Sequence, residues 1–417
     1  MWLAAAALMA LSFAGLLDRH VLGHVSPLFW DLPVYLRAVD LLAAGQNPYD
    51  SELLHHAGVP SYLYFISPPA VMMLFAGIAK SPLHFLFGPA LFLLHLAAMA
   101  GTPILLGRLL FGRAPARLAL ATAAFFTLFA ASGLTAFSAM NNGSALNFLI
   151  VALALPGFSR KRWTAFHIAV TVAAIFKPYY VFCWILPVLA HGFDRRQFFT
   201  ACGLTIMAAS SYILPMWLAP EIFHAWVSNV MTTLAIGDVG TSVFGALADW
   251  QAALKPQWLP HAAQAAYIAF LAILLMLTRL RGRPLWAALL LGVVFMNPRP
   301  LSYDMAIAAI PFAFLTATLL PKAMTMPWRL AISVPALAIF MLVLSYNDRI
   351  VPAAMLFPLM AACVMAATTL RAGLRLGGGA RDLSPQPASA AAEWNRGDVP
   401  VAGEAAASQW EWPAHAN

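Results

Sequence analysis

Residues 28–69, LFWDLPVYLRAVDLLAAGQNPYDSELLHHAGVPSYLYFISPP, decide how the rest of the chain is read. They form the longest polar interruption in an otherwise apolar sequence, and they carry Asp31, Asp40, Asp50 and Glu52, four of its 16 acids. Carboxylates are costly near lipid, so such a cluster just beyond a first apolar run belongs on an outer surface or in a wet cavity. A functional site is expected there.

Working outward, the whole chain of 417 residues is 62% apolar and only 10% charged, with a mean hydropathy of +0.78. A soluble domain would carry about 25% charged residues, so the sequence reads as an all-α polytopic membrane protein. A net charge of +8 and a pI near 9.6 could suggest nucleic acid. In a membrane protein, however, a basic balance reflects the cytoplasmic loops that hold its orientation, and no nucleic-acid partner is expected. Cys183, Cys202 and Cys363 stand singly in apolar runs and read as packing residues. The N-terminus lacks a basic region before its apolar run, so it reads as a retained span rather than a cleaved signal.

A spanning helix needs roughly 20 apolar residues. Twelve runs qualify, some of them short: 2–17, 83–107, 118–137, 145–158, 163–176, 179–191, 198–218, 262–278, 285–296, 305–320, 330–346 and 351–370. With a cytoplasmic N-terminus, fifteen Arg and Lys fall in the inner turns and seven on the outer side, a positive-inside bias. Reading 163–191 as one helix kinked at Lys177-Pro178 would put the basic turns at Arg160 and Arg195 on opposite sides. A hairpin is therefore expected. Before the tail, Asp194 is the one acid on the inner side, so chemistry is expected on the outer face, and that face is expected to be the periplasmic side of a bacterial inner membrane.

Within the opening stretch, Asp31 suits an N-cap with Pro33 in the first turn of an amphipathic helix that Gly45 ends. Asn47-Pro48 is a turn. Ser67-Pro68-Pro69 opens a second apolar helix that Lys80-Ser81-Pro82 closes; at about twelve residues it is too short to span and is expected to be interfacial or re-entrant. In the second outer segment, 219–261, Trp217, Trp226, Trp250 and Trp258 suit interfacial anchors. His55 and His56 are adjacent and point apart on a helix, so no metal site is expected. The chain divides into a membrane core, 1–375, and a polar cytoplasmic tail, 376–417, expected to be disordered.

Several motifs resemble one family. Asp31-x-x-x-Tyr35, Ala38 and Gly45-Gln46-Asn47-Pro48-Tyr49 resemble the opening signature of glycosyltransferase family 87, which includes polyprenol-phosphate-mannose-dependent mannosyltransferases. Ser67-Pro68-Pro69, Asn142-Gly143 with Asn147, Ile175-Phe176-Lys177-Pro178 and Gly240-Thr241-Ser242-Val243-Phe244-Gly245 are similar to later family segments in the same order. The resemblance covers about residues 1–370. It departs at Asn297-Pro298-Arg299-Pro300-Leu301-Ser302-Tyr303-Asp304, where many members carry a His that is missing here.

The resemblance implies a GT-C fold and a hexosyltransferase that draws on a polyprenyl-phosphate sugar, with the first-loop acid, here Asp31, as catalytic base. Its partners are then the lipid-linked donor, membrane lipid and a glycolipid or glycan acceptor of the cell envelope. Inverting transfer needs one base on the acceptor hydroxyl and positive charge for the leaving phosphate, for which Lys177 and Arg299 are the outer-side cations within apolar sequence. No cofactor or metal is required.

Each assignment has a structural alternative. Asp31 could serve only as a helix cap. Lys177 could snorkel at a hairpin crest. Arg299 and Asp304 could form a structural ion pair rather than bind phosphate. Tyr35 and Tyr303 could be interfacial aromatics rather than sugar platforms, and Asn142 could cap a helix starting near Ser144. Two other functions stay open: a transporter or flippase of lipid-linked saccharides, which should carry mid-depth ionisable residues and inverted repeats, and a scaffold acting through its tail.

Overall fold

The structure, a computed structural model, describes residues 1–21, 31–59, 64–127, 163–184, 193–235, 258–277, 280, 282–296, 306–345 and 360–371. All of them fall within one compact unit, Met1–Ala372. The tail, 376–417, and the run 145–158 lie outside the described residues. The described residues contain helices and no strand, so the fold is all-α.

In chain order the helices begin α1 (Trp2–Val21), α2 (Asp31–Ala43), α3 (Ser51–His56), α4 (Pro69–Ala79), α5 (Phe87–Leu110) and α6 (Pro115–Thr127). Then come α7 (Trp163–Phe176), α8 (Arg195–Ile213), α9 (Pro215–Leu218), α10 (Pro220–Ala235) and α11 (Leu259–Leu277). The last are α12 (Arg283–Met296), α13 (Ala309–Leu319), α14 (Met326–Ser345) and α15 (Met360–Arg371). Two runs, His84–Leu110 and Arg195–Leu218, are long and apolar enough to cross a membrane; the other apolar helices among the described residues are shorter.

Helices that are apolar all round must be wrapped by others. The centre is built this way: α12 is buried continuously from Trp286 to Met296 and α13 from Ala309 to Leu315. Both pack on α5; α11 covers α12, while α6 and α14 cover α13. Of the cysteines, Cys183 is buried in this core, Cys202 is half-buried and Cys363 is exposed, so the packing role holds for Cys183 alone.

The 24 residues of α5 extend about 36 Å at 1.5 Å each. Leu36 of α2 lies against its first turn, at Gly88, whereas Arg117 and Arg283 lie at Gly112, just past its last. The acid-bearing opening segment and this arginine turn thus sit at opposite ends of one helix.

The direction of α8 relative to α7 follows from two side-chain contacts. His167 Nε2 lies 3.1 Å from Gln197 Oε1, and Tyr212 Oη reaches Ala174 and Ile175 near the other end of α7. The pairs ascend both helices in the same sense, so α7 and α8 run parallel. The start of α8 therefore lies beside the first half of α7 and not beyond its end. The return was expected to be α-helical from Tyr179; it begins instead as a 3-10 helix, Pro178–Trp184. Such winding is common in pieces of about three or four residues at helix ends, and these 7 residues make a long run of it.

Close helix approach depends on two glycines. A Cβ at Gly107 would stand 2.6 Å from Ala121 Cβ, whereas at Gly292 it would stand 2.7 Å from Leu275 Cδ1. Ala121 Cβ cannot move without its backbone, but the end of Leu275 can rotate. Gly107→Ala is expected to destabilise by about 1–3 kcal/mol through overpacking, and Gly292→Ala by clearly less. Thermal unfolding of both variants in detergent checks the order; equal losses would contradict it.

Candidate functional site

The site is assembled from four helices around α4, which packs on α2, α7, α8 and α10. On α2, Val34, Ala38 and Leu41 recur at helical spacing and are buried. The helix ends where Gly45, at φ +72°, gives its N–H to Leu42 O (3.1 Å) and Gln46 gives its N–H to Leu41 O (2.8 Å). This is a Schellman cap, with the positive φ that glycine tolerates. Asp31 is the first residue of α2 rather than the residue before it. Its backbone lies at the positive end of the helix dipole, where a carboxylate is favoured.

The other acids in this stretch have local surroundings that the sequence hints at. Asp40 pairs with Arg37 at 2.9 Å, an exposed pair of small energetic value. Asp50 caps α3, accepting N–H bonds from Glu52 (3.0 Å) and Leu53 (3.2 Å). Glu52, in the first turn of α3, is exposed.

Tyr35 is half-buried and meets Phe65 and Phe75 edge-on, with centroids 6.5 and 5.8 Å away. Tyr49 is buried; its N–H donates to Asn47 Oδ1 (3.0 Å) in the expected Asn47-Pro48 turn, and its hydroxyl donates to Ser67 O (2.7 Å). Burial pushes this phenol well above its ordinary pKa range, so it stays a donor. Pro69 opens α4 and Lys80 closes it, as expected. One face of α4, with Val71, Met72, Phe75 and Ala79, enters the cluster, while Met73 and Leu74 are exposed.

Lys177 follows the last turn of α7 and is half-buried. Its N–H bonds to Ala173 O at 2.9 Å, but the next bond of the ladder cannot form because Pro178 has no N–H. Tyr212 of α8 replaces it, sharing its hydroxyl proton between Ala174 O (2.9 Å) and Ile175 O (2.7 Å). The ring of Tyr212 packs on Trp226 at 6.0 Å. Trp226 Nε1 in turn donates to Ile66 O at 3.0 Å, and Asn229 Nδ2 donates to Tyr49 O (2.9 Å) and Phe65 O (3.3 Å). A continuous line of contacts therefore runs from the Lys177 break to Tyr35. Ile175 and Phe176 complete it by packing on the same cluster.

Of the expected site residues, Tyr35 is thus joined to the Lys177 break, and Asp31 begins the same helix as Tyr35. Asn142, Arg299, Tyr303 and Asp304 lie outside the described residues. The sequence reading missed the start of α3 at Asp50, α10 and the roles of Trp226, Asn229 and Tyr212. Trp226 was expected as a membrane anchor and is instead a half-buried link between segments. A signal existed: Ile222, Ala225, Trp226 and Asn229 share one helix face after Pro220. Trp217 and Trp258 are exposed, as an anchor would be.

Compared with known proteins, the chain matches no protein-family model, and no curated protein or solved structure is significantly similar to it.

Asn229→Leu would strand two carbonyls in apolar surroundings, and Tyr212→Phe two more. Each is expected to cost about 1–3 kcal/mol, the penalty of an unsatisfied buried group. Thermal unfolding reads the loss, and protease sensitivity of residues 45–68 should rise in Asn229→Leu. Unchanged values in both assays would show that these bonds do not hold the segment.

Proposed function

We propose that the protein is a GT-C type membrane glycosyltransferase with about twelve transmembrane helices, resident in a bacterial inner membrane with its active site on the periplasmic side. It moves a hexose, mannose being one candidate, from a polyprenyl-phosphate sugar to a periplasmic glycolipid or glycan, with inversion and without a metal. Asp31 takes the proton of the acceptor hydroxyl. The acceptor oxygen bonds to the anomeric carbon as the bond from that carbon to the phosphate oxygen breaks, and polyprenyl phosphate leaves with the electron pair. Lys177 and Arg299 stabilise its charge.

The observation that carries the reading is the shared cluster, in which the helix that starts at Asp31 and the residues just before Lys177 pack together although far apart in sequence. Two motifs of the family resemblance thereby meet. Three features add support. Asp40 and Asp50 are already engaged, one in an ion pair and the other in a helix cap. The exposed faces of α5 and α8 are apolar, with Leu93, Ile104, Phe199 and Ile206 among them, which suits lipid contact. Finally, α4 spans about 16 Å, enough to lie at an interface but not to cross.

The test uses the full chain in membranes, with polyprenyl-phosphate mannose as donor and the host's own inner-membrane lipid extract as acceptor source. Wild type is expected to release free polyprenyl phosphate. Asp31→Asn should lower that release at least about 100-fold, within the usual range for loss of a general base, without a change in thermal stability. Asp50→Ala should instead cost about 1 kcal/mol of stability and leave turnover per folded molecule unchanged. Near-wild-type release by Asp31→Asn would remove the base assignment. Passage of intact donor across vesicles without release would favour the flippase reading.

A further inference from the structure

At the far end of α5 from α2, the turn into α6 brings two arginines together. Gly112 stands at φ +97°, and a point beside it, where a Cβ would project, lies 3.2 Å from one terminal nitrogen of Arg117 and 3.8 Å from one of Arg283. Beyond the glycine and its chain neighbours, no other heavy atom of the described residues comes within 4 Å of that point. Arg117 is half-buried, and the same terminal nitrogen donates to Phe111 O at 3.3 Å. Arg283 is exposed, and its side chain makes no hydrogen bond to another described residue.

Three electrostatic features oppose this arrangement as it stands. Two guanidinium groups sit side by side, and like charges this close repel. Both belong to the first turns of helices, α6 and α12, whose dipoles present positive ends and disfavour cations. Neither has a carboxylate partner among the described residues. The sequence offers none nearby: no Asp or Glu occurs between Glu52 and Asp194, or between Asp249 and Asp304.

We propose that Arg117 and Arg283, closing around Gly112, form a binding site for a phosphate-type anion. One phosphate oxygen can accept from both guanidinium groups and also face the positive ends of two helices, so each unfavourable feature becomes an attraction. Glycine is needed at position 112 both for its backbone angle and because a side chain would occupy the gap. The anion has two chemical sources, the headgroup of an anionic phospholipid or a free phosphate. Basic pockets between helices at a membrane surface commonly hold the former. This site lies at the far end of α5 from α2 and does not rest on the transferase reading.

The test measures thermal unfolding of the full chain in detergent with phosphatidylglycerol, phosphatidylcholine or inorganic phosphate, alongside native mass spectrometry of retained lipid. Phosphatidylglycerol should stabilise wild type and phosphatidylcholine should not. Arg117→Gln and Arg283→Gln should each weaken that binding by about tenfold, as expected for a lost charge-assisted bond. Arg195→Gln, at an exposed start of α8, should leave it unchanged. Without any anion, Arg283→Gln should be at least as stable as wild type, because the repulsion is relieved. Stabilisation by phosphatidylglycerol alone identifies a lipid headgroup, and equal stabilisation by inorganic phosphate identifies a soluble anion. If neither stabilises wild type, or if both arginine variants keep the full effect, the site does not exist.

Discussion

Irregular backbone in apolar surroundings must find partners for its carbonyl groups, and the organisation of the candidate site follows from how three side chains supply them. Tyr212 serves the end of α7, where Pro178 removes a ladder bond. Trp226 and Asn229 serve the turn at Tyr49 and the irregular chain at residues 65–66. All three come from α8 and α10. Helix α10 therefore acts as a clasp on Tyr49 and residues 65–66, and Tyr212 of α8, packed on Trp226, holds the end of α7 before Lys177. Removing the clasp would leave carbonyls without partners at several points at once, which is why one face of α10 can govern the position of helices far from it in sequence.

The same economy bears on Lys177. A cation just past the last turn of a helix is favoured by the dipole, so its structural role and a phosphate-binding role draw on one placement. Asp31 is in the mirror situation, a carboxylate at the first turn of α2. The capping and catalytic readings do not compete for geometry in either case. They differ in what else must be nearby, namely a donor phosphate for one and an acceptor hydroxyl for the other. Charge at the opposite end of α5 is arranged differently, with Arg117 and Arg283 in first turns where the dipole disfavours them.

Much of the local structure was legible. Gly45 marked the end of α2 because its backbone angle is one that other residues resist, and Asn47, Pro69 and Lys80 marked a turn and the ends of α4 for similarly local reasons. The short helix α3 was read only in placing His55 and His56 on a helix; its start was missed although Asp50 before Ser-Glu is a capping pattern, since six residues carry too little periodicity to register. The return after Lys177 was legible from charge as a reversal. Its 3-10 winding was not, because the run of apolar residues from Tyr179 fits either helix type equally well.

By itself the sequence determined an all-α chain, apolar enough for a membrane, with its acids and arginines segregated and its helix ends marked by Pro, Gly and Asp. These are properties of single residues and their near neighbours, decided by backbone sterics and the cost of burying charge. Tertiary structure alone decided that Asn229 would meet Tyr49, that Tyr212 would complete α7, and that Arg117 and Arg283 would share the space beside Gly112. Such pairings depend on where two distant helices cross, and a hydrogen-bond donor or a charge carries no mark of the partner it will reach.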